Sequence, residues 1–344
     1  MKGLVVTKDK EVYLEESLPI PEIGDYEALV KNECCMICNG TDLGVIEGQV
    51  REVDRYPAIL GHEDAGRVVK VGKKVTTYHI GDLVVRAGQH NDGVYSSAWG
   101  GFAEYGVVKD YDAAVRDGAE VEDVELGITQ QVCPIDMKSE EAAMLITLKE
   151  VYSALERIQA ANNRTMVIVG DGPVALAFLC CGKLRGIKNI YVIGNHQEKL
   201  EVADRLGAAG TFLNKNPEEV EKARKQFARK VDICVDTIGA NTTIGQCAEY
   251  VRNNGTIAVY GLKSDKILEL TIPKIRNFTI HYVQWPIPAV EAKAHQPVVD
   301  AIINQKIDIN AFITHRFPIS EYKKGFQAVN DRSALKVVLS FNSN

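Results

Sequence analysis

The sequence predicts an α/β protein of two domains: a β-rich domain and a doubly wound parallel sheet. Three observations carry this expectation. The 344 residues exceed what one hydrophobic core usually supports. About 130 N-terminal residues consist of short β-like runs bounded by Gly and Asp, the pattern of a partly open barrel or sandwich. Beyond Ser139, strand-like and helix-like stretches alternate, as parallel sheets require.

In chain order, the β-like runs are residues 3–6, 27–34, 66–71, 83–87 and 102–108. SEEAAMLITLKEVYSALERIQ then places apolar residues at helical spacing behind Ser139, a residue suited to an N-cap. Residues 165–170, 189–194, 231–236 and 256–261 are β-branched-rich, with gaps long enough for helices. A Pro-containing stretch, WPIPAVEAKAHQP, precedes a helix-like VVDAIINQ and a final apolar LKVVLSF. The last two can return to the first domain. The expected division is therefore 1–148 with 283–344, enclosing a sheet domain at 149–282.

The net charge of −6 offers no footprint for a phosphate backbone or anionic lipid, so nucleic acid and membrane surfaces are excluded as expected partners. Eight cysteines without a regular framework read as reduced thiols of a cytoplasmic chain. MKGLVVTKDKEVYLEE breaks into charges too early for a signal peptide. The apolar stretch 166–182 is interrupted by Asp171 and Pro173, which excludes a simple membrane span.

Gly170-Asp171-Gly172-Pro173-Val174-Ala175 follows a predicted strand and opens an apolar helix, in the form G-x-G-x-x-A. Gly170 permits the tight turn, Gly172 lets a pyrophosphate approach, and Pro173 and Val174 begin the helix whose N-terminus faces it. The strand, loop, helix and second strand fall in order, so a nicotinamide dinucleotide is expected. At the second strand's end stand Gly194, Asn195 and His196, with Lys199 beyond, and no acid. An acid there accepts the ribose hydroxyls of NAD; its lack, with donors and charge nearby, favours NADP over NAD. Thr237, Gly261 and Leu262, at other strand ends, are expected beside the nicotinamide. Without a ligand, all of these are ordinary loop residues.

Two motifs in the β-rich part carry metal-binding side chains: CMICNGTD, with Cys38, and GHEDAG, with His62 and Glu63. Thiolate, imidazole and carboxylate suit Zn²⁺, and a catalytic zinc takes three protein ligands plus an open position. Spacing alone fits a buried Cys and a hydrogen-bonded His equally well.

With ICNGTD, LGHEDAGRVVKVG, GGFAEY, SEEAAM, GDGPVA and ALKVVL in this order, the chain resembles the zinc-type medium-chain alcohol, polyol and sugar dehydrogenases. The resemblance spans essentially the whole chain. It implies a GroES-like catalytic domain beside a Rossmann domain, a homodimer or homotetramer, and hydride exchange between a small alcohol or carbonyl substrate and NAD(P). It implies Cys38, His62 and Glu63 as the catalytic metal set and Thr41 as the hydroxyl facing the substrate oxygen. The family usually has one residue between the Cys and the Ser/Thr; here there are two, Asn39 and Gly40. A further family ligand position is occupied by Ile146, which cannot bind metal, with Glu150 one helical turn on. Residues 88–101 lack the four cysteines of a structural zinc, so none is expected; Gln89, His90, Asn91, Asp92 and Trp99 there suit a polar substrate. Two other readings stand beside the zinc enzyme: a zinc-free reductase of an activated carbonyl or enone, and a nucleotide-binding protein without turnover.

Overall fold

The computed structural model describes residues 1–50, 53, 55–91, 93–119, 127–162, 164–262, 268–269 and 277–341. The chain divides into two compact units: Met1–Ile146 with His295–Ile303 and Ile313–Asn344, and Thr147–Ala294 with Asn304–Phe312. Among the described residues no helix is long and apolar enough to cross a membrane.

In the first unit the strands are β1 (Gly3–Val6), β2 (Val12–Glu15), β3 (Glu27–Ile37), β4 (Ala58–Ile59), β5 (Glu63–Val71), β6 (Leu83–Val85), β7 (Ser96–Ser97), β8 (Tyr105–Lys109) and β9 (Val132–Cys133). The second unit contributes β10 (Thr165–Val169), β11 (Asn189–Gly194), β12 (Gly210–Leu213), β13 (Val231–Asp236), β14 (Val251–Val259) and β15 (Phe278–Tyr282). The chain then returns to the first unit with β16 (Ile313–Pro318) and β17 (Lys336–Ser340).

The first unit holds a small sheet, β2-β1-β4-β7, and a larger one, β16-β17-β3-β5-β6-β9, with β8 also on β3. β3 explains the arrangement. Its first half alternates buried and more exposed residues, as a half-covered strand does; its last four, CCMI, are all buried because core covers both faces. Cys35, Ile37, Val337 and Leu339 share that core with Leu4, Leu60 and Phe102. Register then places the chemistry. Met36 pairs with Glu63 and Ile37 with Val337, so the residue after β3, Cys38, lies where β5 and β17 both begin.

The second unit is a parallel sheet in the order β12-β11-β10-β13-β14-β15, the 3-2-1-4-5-6 arrangement of a doubly wound fold. The order in which strands are added reverses between β10 and β13, where ligands bind in such sheets.

Two expected boundaries move and two strands are added. Ser139 is the first residue of the helix Ser139–Arg157; Lys138 stands before it, its carbonyl accepting the Ala142 N–H and its N–H bonding to Glu141. β12 and β15 were absent from the sequence reading. Residues 283–294, expected in the first domain, belong to the second unit. Val283 extends β15 by a bond to Val259, Arg157 donates to the Trp285 carbonyl at 2.7 Å, and the fully buried Lys149 and Glu291 pair at 3.7 Å.

Candidate metal centre and cofactor loop

Cys38, His62 and Glu63 each offer one ligand atom, and these atoms all lie within 4.8 Å of one another. The turn after β3 presents the thiol: the Asp42 carboxylate accepts the Cys38 N–H at 2.8 Å, and the Cys38 carbonyl accepts the Asp42 N–H at 3.1 Å. Gly40, the extra residue, sits helical at the start of the short helix Thr41–Ile46 and leaves Thr41 buried. Gly61 precedes His62, and its carbonyl accepts the N–H groups of Gly100 and Gly101, which ties this turn to the segment carrying Trp99.

The donor set fits zinc. Ligands about 2.0–2.3 Å from a tetrahedral ion are about 3.3–3.8 Å apart; His62 Nε2 and Glu63 Oε1 are 3.9 Å apart. His62 Nδ1 is 3.5 Å from Asp42 Oδ1, an ion-pair separation that falls short of a hydrogen bond, and it is otherwise a buried orphan. A carboxylate behind one ring nitrogen, with the other facing two more donors, is the usual second-sphere support of a metal-bound His. Burial works against a charged His62 ring, but Asp42 and Cys38 outweigh it and hold its pKa above the ordinary value.

Three residues at this centre escaped the sequence reading. Asp42 closes the CMICNGTD motif, where spacing assigns it no role. Trp99, expected in a substrate loop, has its ring 5.4 Å from His62 and walls the site. Lys336, the first residue of β17, is buried and pairs with the Glu63 carboxylate. Burial pulls the Lys336 pKa down, but Glu63 and then Cys38 more than offset this and raise it. Register could have flagged it, because Lys opens an otherwise apolar strand.

Ile146 is fully buried and offers no donor. Glu150 belongs to the second unit, where its carboxylate accepts the Tyr260 hydroxyl at 3.1 Å. The polar loop at 88–101 is largely satisfied within the protein: the Gln89 side chain donates to the Tyr105 carbonyl, His90 pairs with Glu27 at 3.2 Å, and the Asn91 side-chain oxygen accepts from Arg55 and the Ser97 N–H. Those three side chains are thereby spoken for, and Asp92 lies outside the described residues.

In the second unit Gly170 has φ +125°, and a Cβ on it would fall 2.0 Å from Thr237 Oγ1. The Thr237 hydroxyl is itself committed to the Val169 carbonyl, 3.0 Å away, so Thr237 backs the loop at the switch point. Gly172 caps the helix Pro173–Leu184, with Pro173 in its first turn, and a Cβ there would meet nothing within 4 Å. This is the open approach a pyrophosphate needs at a helix N-terminus. Val174 follows in the same turn, and Gly261 at the end of β14 bonds to the Asp236 carbonyl, with Leu262 beyond it. Gly170→Ala is expected to weaken dinucleotide binding at least about tenfold and to destabilise this unit by about 1–3 kcal/mol. Titration with reduced dinucleotide and urea unfolding check both; unchanged binding would contradict the loop assignment.

The second strand's end differs from expectation. Lys199, expected to add charge, is buried. Asp171, between the two glycines, accepts the N–H groups of Asn195 at 2.5 Å and His196 at 2.8 Å, with the His196 ring at 3.0 Å.

Residues 24–116 match the alcohol dehydrogenase GroES-like domain, and residues 173–285 match the zinc-binding dehydrogenase family. The chain belongs to the zinc-type medium-chain dehydrogenases. It is 27% identical to a sorbitol dehydrogenase of Bombyx mori, covering 94% of each chain. An alcohol dehydrogenase of Escherichia coli CFT073 complexed with NADH superposes with a TM-score of 0.80 at 20% identity, covering 99% of each chain. A zinc-binding dehydrogenase of Sinorhizobium meliloti 1021 bound to NADP gives 0.76 at 19%, covering 98% of each.

Proposed function

We propose that this protein exchanges hydride between a polar secondary alcohol, polyol or sugar and a nicotinamide dinucleotide, with a catalytic zinc held by Cys38, His62 and Glu63. The buried convergence of these three donors carries the reading. Sorbitol oxidation by a relative of matching length supports a polyol substrate. A zinc ion at this centre supplies positive charge that makes a substrate hydroxyl acidic near neutral pH.

The chain's own residues do the rest. Asp42 holds the His62 ring in orientation, and Lys336 balances the Glu63 charge. Trp99 limits water at His62. Thr41, buried in the turn after Cys38, is our candidate to receive the hydroxyl proton and pass it outward while hydride goes to nicotinamide C4. The glycine loop of the second unit binds the pyrophosphate.

One observation favours the zinc-free reductase: Glu63 is already paired with Lys336 and Ile146 cannot substitute, which leaves Cys38 and His62 as the remaining ligands. Dinucleotide reduction with a panel of polyols, before and after chelator dialysis, separates the two. The zinc reading expects polyol-dependent reduction that fails on dialysis and returns with Zn²⁺. Undiminished activity after dialysis, or turnover of enones alone, would overturn it.

We also place the chain in the cytoplasm and in a homodimer. All eight cysteines are free. Among the described residues β15 is a sheet edge, and Tyr282 at its end and Trp285 and Ile287 beyond it are each more than 40% exposed, a surface suited to a second copy.

A further inference from the structure

Dinucleotide sheets read the adenosine ribose at the end of their second strand, where an acid accepts its hydroxyls and repels a 2′-phosphate. Here β11 ends in Gly194-Asn195-His196, which provides no acid. The Asp171 carboxylate occupies that position instead. Its Oδ2 accepts three donors, the backbone N–H groups of Asn195 and His196 and the His196 ring, at 2.5, 2.8 and 3.0 Å.

The approach is built into the backbone. A Cβ at 194 would fall 2.5 Å from the Asp171 Cβ, so only glycine leaves room for this side chain. Oδ2 is used in fixing the loop between β11 and the helix Gln197–Arg205. The two backbone amides are neutral and leave the carboxylate its charge; only the His196 ring, when protonated, offsets it. The side chain stays 12% exposed, so a ligand lying on the loop can meet it. Lys199, the cation nearest in sequence, is buried.

We infer that Asp171 is the residue that selects the nicotinamide dinucleotide: a carboxylate delivered from the phosphate loop replaces the missing strand-end acid and makes the protein prefer NAD over NADP. This deepens the dinucleotide reading of the second unit and rests on it. One full charge close to a dianionic 2′-phosphate in a partly buried site accounts for about tenfold in binding.

The test is fluorescence titration of the full chain with NADH and NADPH. Wild type should bind NADH at least about tenfold more tightly, and added salt should narrow that gap by screening the repulsion. Asp171→Asn keeps an oxygen for the backbone donors and removes the charge, so it should cut the ratio about tenfold through tighter NADPH binding. A wild type that binds both equally, or an Asp171→Asn ratio that does not move even though both affinities fall, would overturn the assignment and leave Asp171 a loop cap. Failure of the wild type to bind either dinucleotide is a different result: it overturns the dinucleotide reading beneath.

Discussion

Cys38→Ser and His62→Ala should each lose the metal and reduce kcat/KM by about a thousandfold, the several kcal/mol of charge stabilisation a catalytic metal supplies. Both side chains are buried or half-buried beside Glu63, so loss of either leaves at most two donors. Asp42→Asn should be milder, about ten- to a hundredfold in metal affinity or activity, because it loosens the His62 ring without removing a ligand. This gradation distinguishes a metal centre from a packing cluster. If Cys38→Ser and His62→Ala keep wild-type rates while unfolding at lower urea, the residues are structural and the site assignment fails.

Lys336→Met should destabilise the first unit by about 3–5 kcal/mol in chelator-treated protein, the usual cost of stranding one member of a buried ion pair. Lys336 and Glu63 are both almost fully buried, so solvent cannot rescue the widowed carboxylate. Lys336→Met with Glu63→Gln should recover most of the loss, since the double variant strands no charge. The lysine's pKa lies above its ordinary value, so its charge contributes fully at neutral pH and, on the alkaline side, is lost as pH climbs through that raised value. Urea unfolding of the wild type and both variants checks this. A single variant within about 1 kcal/mol of wild type would show that the pair does not govern Glu63.

These residues also show what was legible in the sequence. The doubly wound sheet was readable because its strands are local β-branched runs and its glycine loop keeps fixed spacing. β12 and β15 were not, because GTFL has only four residues and FTIHY carries no fully buried position. Cys38, His62 and Glu63 stood out by ligand type and flanking glycines. Lys336 did not, since it is 273 residues from Glu63 and meets it only through the β17-β3-β5 register. Asp171 was hidden for another reason: an acid was sought on the strand, and the fold delivers it from the loop opposite. Both omissions are charges placed by tertiary structure, which periodicity does not encode.

The most direct test of the central claim is metal stoichiometry. Elemental analysis of the purified full-length chain after exhaustive dialysis should find about one zinc per chain in the wild type and none in a Cys38→Ser, His62→Ala double variant that still folds. A wild type that carries no metal and yet oxidises its alcohol at full rate would contradict it.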